Sequence, residues 1–282
     1  MSFREYVEAM KLLRIAACAL MTAGLVVPAS ASVAAPSAPL DYVAVGDSYA
    51  AGFGAGSYVN ACGQSPLGLP GLLDARKQIQ LTFSAACSGA RAADIPGGVP
   101  DVPEQVGGLA ATGVLGPQTD LVTITAGGND VDFGRIVGAC ATQTIEVCRQ
   151  AVDLAVFQAR TTVAADLDAL YAQLAGAAPN AQIIVSGYPH LFSPEFGNAP
   201  LLSLEAQELF NAGTDALNDV IEDRAEAAGF DFVGVTKRFD KHGIGSPEPW
   251  ITFTGFTAID DLHPTAKGYQ SGYLPEVRKA ID

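Results

Sequence analysis

Four short stretches hold the residues that could do chemistry. "VAVGDSYA" carries Asp47 and Ser48 on a glycine turn, and "CSGA" carries Gly89. "AGGND" carries Asn129 and Asp130, and "DDLHPTAKGY" carries Asp260, Asp261 and His263. Acyl transfer by serine needs a nucleophile, a base, a group that orients the base, and donors for the oxyanion. Ser48 suits the first role, because Gly46 lets the backbone fold sharply and exposes the hydroxyl. His263 suits the second. Asp260 stands three residues earlier, near enough to bond the other ring nitrogen and fix the tautomer. The N–H groups of Ser48 and Gly89 and the side-chain amide of Asn129 could surround the oxyanion.

Each of these residues also has an ordinary reading. Ser48 alone is a helix N-cap, Asn129 a left-handed residue after two glycines, and Pro264 an entry to the last helix. Other functions compete as well. Asp47, Asp130, Asp260, Asp261 and His263 could form the metal cluster of a metal-dependent phosphoesterase. That reading leaves Ser48, Gly89 and Asn129 without work. A non-catalytic secreted binding protein on a hydrolase scaffold would need a broken triad, and every member is present. "GDSYA" is not G-x-S-x-G, so the elbow of the α/β-hydrolases is not indicated.

These stretches need a frame to bring them together. Apolar, β-branched runs predict strands at about 41–46, 80–85, 120–126, 181–187 and 230–235. They lack clean alternation, as expected of strands covered on both faces. Helical spacing covers 151–177, 203–228 and about 265–279, with Ser203 and Gly229 as start and stop signals. The Gly- and Pro-rich segment 88–118 reads as loop with one helix at most. Alternating strands and helices predict a parallel sheet with helices on both faces. Such sheets carry their sites at the carboxyl ends of the strands, where the four stretches fall.

At these residues the chain resembles the SGNH (GDSL) hydrolases, closest to the secreted actinobacterial lipases and esterases. Gly46-Asp47-Ser48, Gly89, Gly127-Gly128-Asn129-Asp130 and Asp260-x-x-His263-Pro264 match the family's four blocks in order. The resemblance implies a flavodoxin-like three-layer α/β sandwich and hydrolysis of carboxylic esters without a cofactor or metal. It makes Ser48 the nucleophile, His263 the base and Asp260 its partner, with Gly89 and Asn129 completing the oxyanion hole. Tyr49 stands where the family name has leucine. Similar secreted relatives often have three disulfides, so the loop before His263 is expected to be looser here. In some relatives a backbone carbonyl replaces the acid; spacing favours Asp260.

Composition narrows the partners. A formal net charge of −14 opposes nucleic acid and electrostatic docking on anionic lipid. The expected partner is a small-molecule or lipid ester, and the protein is expected to be a monomer. Lys11 and Arg14, an apolar run from Ile15 to Val27, and Ala29-Ser30-Ala31 have the order of a secretory signal. Residues 1–35 are assigned to it, with cleavage after Ala31 or Ala35, leaving 36–282 as one exported domain without a stable membrane anchor. Cys18 lies in the signal. Of the other four cysteines, proximity pairs Cys140 with Cys148 and leaves Cys62 for Cys87. Among the remaining histidines, His242 is expected to be solvated and His190 to be a loop residue near the cleft. Phe192, Phe196, Trp250, Phe253 and Phe256 are expected on loops at the same edge, as acyl-pocket wall or as lid and core.

Overall fold

The computed structural model describes residues 38–197, 199 and 201–281. The assigned signal segment lies outside these residues. Five strands form one sheet: β1 (Leu40–Gly46), β2 (Ile79–Ser84), β3 (Leu121–Thr125), β4 (Gln182–Ser186) and β5 (Asp231–Val233). Their order is β2-β1-β3-β4-β5 and every pairing is parallel. The α/β fold is the one expected. Burial explains why the runs are apolar throughout. Tyr42 to Val45 of β1 and all of β3 are buried, as strands with helices on both faces must be. The edge strand β2 is more open, with Phe83 half exposed.

The chain leaves β1 toward β2 on one side and continues from β3 toward β4 on the other. With right-handed crossovers, the reversal opens a crevice at the carboxyl ends of β1 and β3. The residues in register there are Gly46 and Thr125. Gly46 has φ +128°, and a Cβ on it would lie 2.4 Å from the Thr125 carbonyl oxygen. Only glycine lets the first strand turn this close to its neighbour. The buried amide of Gln105 then clamps the turn, accepting from the Gly46 N–H at 2.9 Å and donating to its carbonyl at 3.0 Å.

The helices differ from expectation in two places. The long helical pattern begins earlier, at Ile145, because Thr144 caps it by accepting from the Val147 N–H. It then runs as Ile145–Gln158, a π-helical turn at Ala159–Val163, and Ala164–Ala177. A further helix, Phe133–Thr142, follows the "GGND" stretch and was not anticipated. It starts from Asp132, a non-glycine residue with φ +55° rather than an ordinary N-cap. The Leu204–Ala227 helix starts at the Ser203 cap as read from sequence. The Gly/Pro-rich segment contains one helix, Val102–Ala111, fixed by a capping box between Asp101 and Glu104. Disulfides join Cys62 to Cys87 and Cys140 to Cys148.

Candidate active site

Ser48 opens a one-turn helix, Ser48–Ala51, directly after β1. Asp47 is its cap. The Asp47 carboxylate accepts from the N–H groups of Tyr49 and Ala50, at 2.9 and 3.4 Å, and from the Tyr188 hydroxyl at 2.5 Å. Asp47 therefore fills the capping role and frees Ser48 from it. Burial pushes its carboxyl up to about 7, while these three donors favour the charged form. Tyr188 also accepts the Gly128 N–H at 2.9 Å, so one buried hydroxyl joins the first and third stretches.

The Ser48 hydroxyl lies 2.8 Å from His263 Nε2, a contact between residues 215 positions apart. Both side chains are buried. Burial holds the ring's pKa below the ordinary imidazole value, partly opposed by the backbone and carboxylates of Asp260 and Asp261. A neutral ring with a free lone pair toward a hydroxyl is the form a general base needs.

The group on the other side of the ring departs from expectation. His263 Nδ1 bonds the backbone carbonyl of Asp261 at 2.9 Å, whereas the Asp260 carboxylate accepts from the Tyr58 hydroxyl at 2.5 Å. The reason is the backbone at Leu262, where φ is +70°. That left-handed residue aims the Asp261 carbonyl at the ring, so a count of residues misplaces the acceptor. The Asp261 carboxylate holds the loop instead, accepting from the Thr254 N–H at 2.6 Å and its hydroxyl at 2.8 Å.

The loop before His263 is tied without a third disulfide. Thr252 donates its N–H to the His263 carbonyl and accepts from the Leu262 N–H, each at 2.7 Å. Tyr49 adds a longer tie: its hydroxyl donates to the Leu262 carbonyl at 2.7 Å, and its ring centroid is 5.1 Å from that of His263. The residue after Ser48 thus reaches the loop that carries His263. Nothing in the local sequence at Tyr49 points to a partner so far along the chain.

Asn129 lines the cleft that contains Ser48, and its amide donates to the Ala90 carbonyl at 2.8 Å. Gly89 has φ +91°. The backbone N–H groups of Ser48 and Gly89 have no hydrogen-bond partner among the described residues. Asp130 holds this stretch by accepting from the N–H groups of Ala92 and Ala93, at 2.9 and 3.0 Å. The Cys62–Cys87 bridge ties it from the other end, where Ser88 donates its N–H to the Cys62 carbonyl at 2.9 Å.

The five groups considered for a metal do not converge. Asp47, Asp130, Asp260 and Asp261 each accept from different donors, as described above. Among the described residues no cluster of three His, Cys, Asp or Glu side chains could hold a metal ion. Of the loop aromatics, none lines the cleft beside Ser48; its aromatic wall comes from Tyr49, Phe133, Tyr188 and Phe210. Phe192 and Trp250 are core residues. His190 pairs with Asp215 at 2.7 Å, and the His242 ring stacks on Trp250 at 3.7 Å rather than standing free in solvent.

Residues 44–271 match the GDSL-like lipase/acylhydrolase family. Lipase 1 of Streptomyces coelicolor is 35% identical over 263 residues, covering 92% of this chain and 93% of that protein. The crystal structure of an extracellular lipase from Streptomyces rimosus superposes with a TM-score of 0.75 at 34% identity, covering 86% of this chain and 99% of that one. That of a phospholipase A1 from Streptomyces albidoflavus does so with a TM-score of 0.73 at 32% identity, covering 84% and 98%.

Proposed function

The chain belongs to the GDSL-like lipase/acylhydrolase family and is an ester hydrolase; on that premise we propose that it is an exported serine esterase or lipase working through an acyl-enzyme. The observation that carries the mechanism is the 2.8 Å contact between Ser48 Oγ and a buried His263 Nε2. In the first half-reaction Ser48 Oγ attacks the ester carbonyl carbon and its proton passes to His263 Nε2. The resulting imidazolium keeps its Nδ1–H on the Asp261 carbonyl. Developing charge on the carbonyl oxygen is met by the N–H groups of Ser48 and Gly89 and by the Asn129 amide, each such donor being worth about 3 kcal/mol. Collapse of the tetrahedral intermediate breaks the C–O bond, and His263 returns the proton to the leaving alcohol. In the second half-reaction water attacks the acyl-enzyme, His263 takes its proton, and Ser48 leaves as the hydroxyl while the carboxylic acid departs.

Asp260 acts on the ring only through space in this reading, and its carboxylate chiefly orders Tyr58. The signal-like N-terminus supports export, and the relative from Streptomyces rimosus is described as extracellular. Hydrolysis of a nitrophenyl ester by wild type and Ser48→Ala, with and without chelator, tests the mechanism. A loss of about 10^4-fold or more in the variant, with chelator harmless, is expected. Activity that survives the substitution but disappears in chelator would overturn it.

A further inference from the structure

Phe133 borders two spaces, the cleft beside Ser48 and a neighbouring one. Phe133, Phe210, Thr214 and Leu217 wall the space that faces Ser48 and also a second cavity. That cavity lies among residues of the Phe133–Thr142, Ile145–Gln158 and Leu204–Ala227 helices. Beyond the shared residues its lining is Val131, Ile136, Val152, Ala155 and Gly213. Thr214 supplies its only side-chain hydroxyl, which donates to the Phe210 carbonyl at 3.2 Å. Two of the lining residues are unusually small. A Cβ on Gly213 would lie 3.0 Å from Val152 Cγ1, so a larger side chain would press on the facing helix. Ala155 stands one helical turn from Val152 on the same wall.

We propose that this second cavity receives the far end of the acyl chain, and that Gly213 and Ala155 keep it open, so that the enzyme prefers long-chain fatty acyl esters to acetyl esters. The inference rests on Ser48 being the nucleophile, since the second cavity adjoins the cleft that contains that residue. An acetyl group would fill only the space at Ser48 and leave the apolar cavity beyond it unused. An acetylated sugar or a phosphate would meet no charged group and no unpaired hydroxyl there. A hydrocarbon chain asks for neither, and burying each methylene raises kcat/KM by up to about fourfold. Chain length would thus be measured by two small residues on facing helices, far in sequence from the nucleophile.

The test is the rate on dispersed nitrophenyl esters from two to sixteen carbons, for wild type, Gly213→Val, Ala155→Leu and Ser48→Ala. Wild-type kcat/KM is expected to rise with chain length past eight carbons. In both cavity variants the ratio of twelve-carbon to two-carbon activity is expected to fall by tenfold or more. A wild-type optimum at the acetyl ester overturns the proposal. So does an equal loss at every length in both variants when their melting temperatures match wild type. If Gly213→Val does not fold, Ala155→Leu decides, since it narrows the space from the opposite helix. Ser48→Ala separates the two readings: if it stays active the nucleophile assignment fails, and if it is dead while the length profile is flat only the cavity proposal fails.

Discussion

The two walls that flank Ser48 are built in opposite ways. On one side His263 sits in a mesh of polar ties, to the Asp261 carbonyl, to Ser48 and, through Leu262, to Tyr49. On the other side Phe133, Phe210 and Leu217 offer hydrocarbon, and the one hydroxyl among the shared wall residues is turned back on its own helix. The difference teaches how one site meets two demands. Proton transfer requires atoms placed to within tenths of an ångström, which directional bonds provide. Acceptance of a flexible chain requires area and room, which non-directional apolar packing provides. Substitutions on the polar wall are therefore expected to alter rate at all substrate lengths, and those on the apolar wall to alter the choice among lengths.

The largest effect expected on the polar wall, short of losing Ser48 or His263, comes from Tyr49→Phe. It removes one buried hydrogen bond to the Leu262 carbonyl and leaves the ring against His263. A fall of about tenfold in kcat is expected, with KM little changed. A change confined to KM would mean that Tyr49 serves the substrate and not the base. Asp260→Asn should cost less than about fivefold, because the ring's partner is a backbone carbonyl. Were the carboxylate the orienting group, the loss would approach about 10^4-fold, which steady-state kinetics distinguishes at once. The smallest signal is a displacement of the pH profile. His263 must be neutral to act, and its burial lowers its pKa. The acid limb of kcat/KM should accordingly lie below the ordinary imidazole range, with activity lost only as pH falls through that lowered value. A limb above the ordinary range would mean that the imidazolium is favoured, returning weight to the Asp260 carboxylate.

The polar wall was largely legible in the sequence and the apolar wall was not. Ser48, Asn129 and His263 stand on strand ends and turns whose residue types are unusual, and the parallel-sheet rule brings those ends together. The strands themselves were readable to within about two residues, since burial on both faces leaves unbroken apolar runs. Asp260 shows the limit of spacing arguments. The left-handed φ of Leu262 turns one carbonyl into the ring's acceptor, and no preference of leucine signals it. Tyr58, Tyr188 and Gln105 escaped notice for a different reason: their partners are 202, 141 and 59 residues away. The Phe133–Thr142 helix was missed because it starts amid glycines and acids without a capping signal. Phe133 and Phe210 line the cleft from helices, whereas the sequence offers the loop aromatics as wall or as lid and core, and Phe192 and Trp250 are core.

The bridge between Cys62 and Cys87 has a consequence beyond stability. Cys87 lies two residues before Gly89, and Cys62 lies four residues after Tyr58, which holds Asp260. One covalent bond therefore joins the segment before Gly89 to the one whose Tyr58 holds Asp260. A newly made chain whose thiols are still reduced lacks that bond. Oxidation of the two thiols then joins the segment that carries Gly89 to the one that carries Tyr58, a bond that persists in an oxidising compartment.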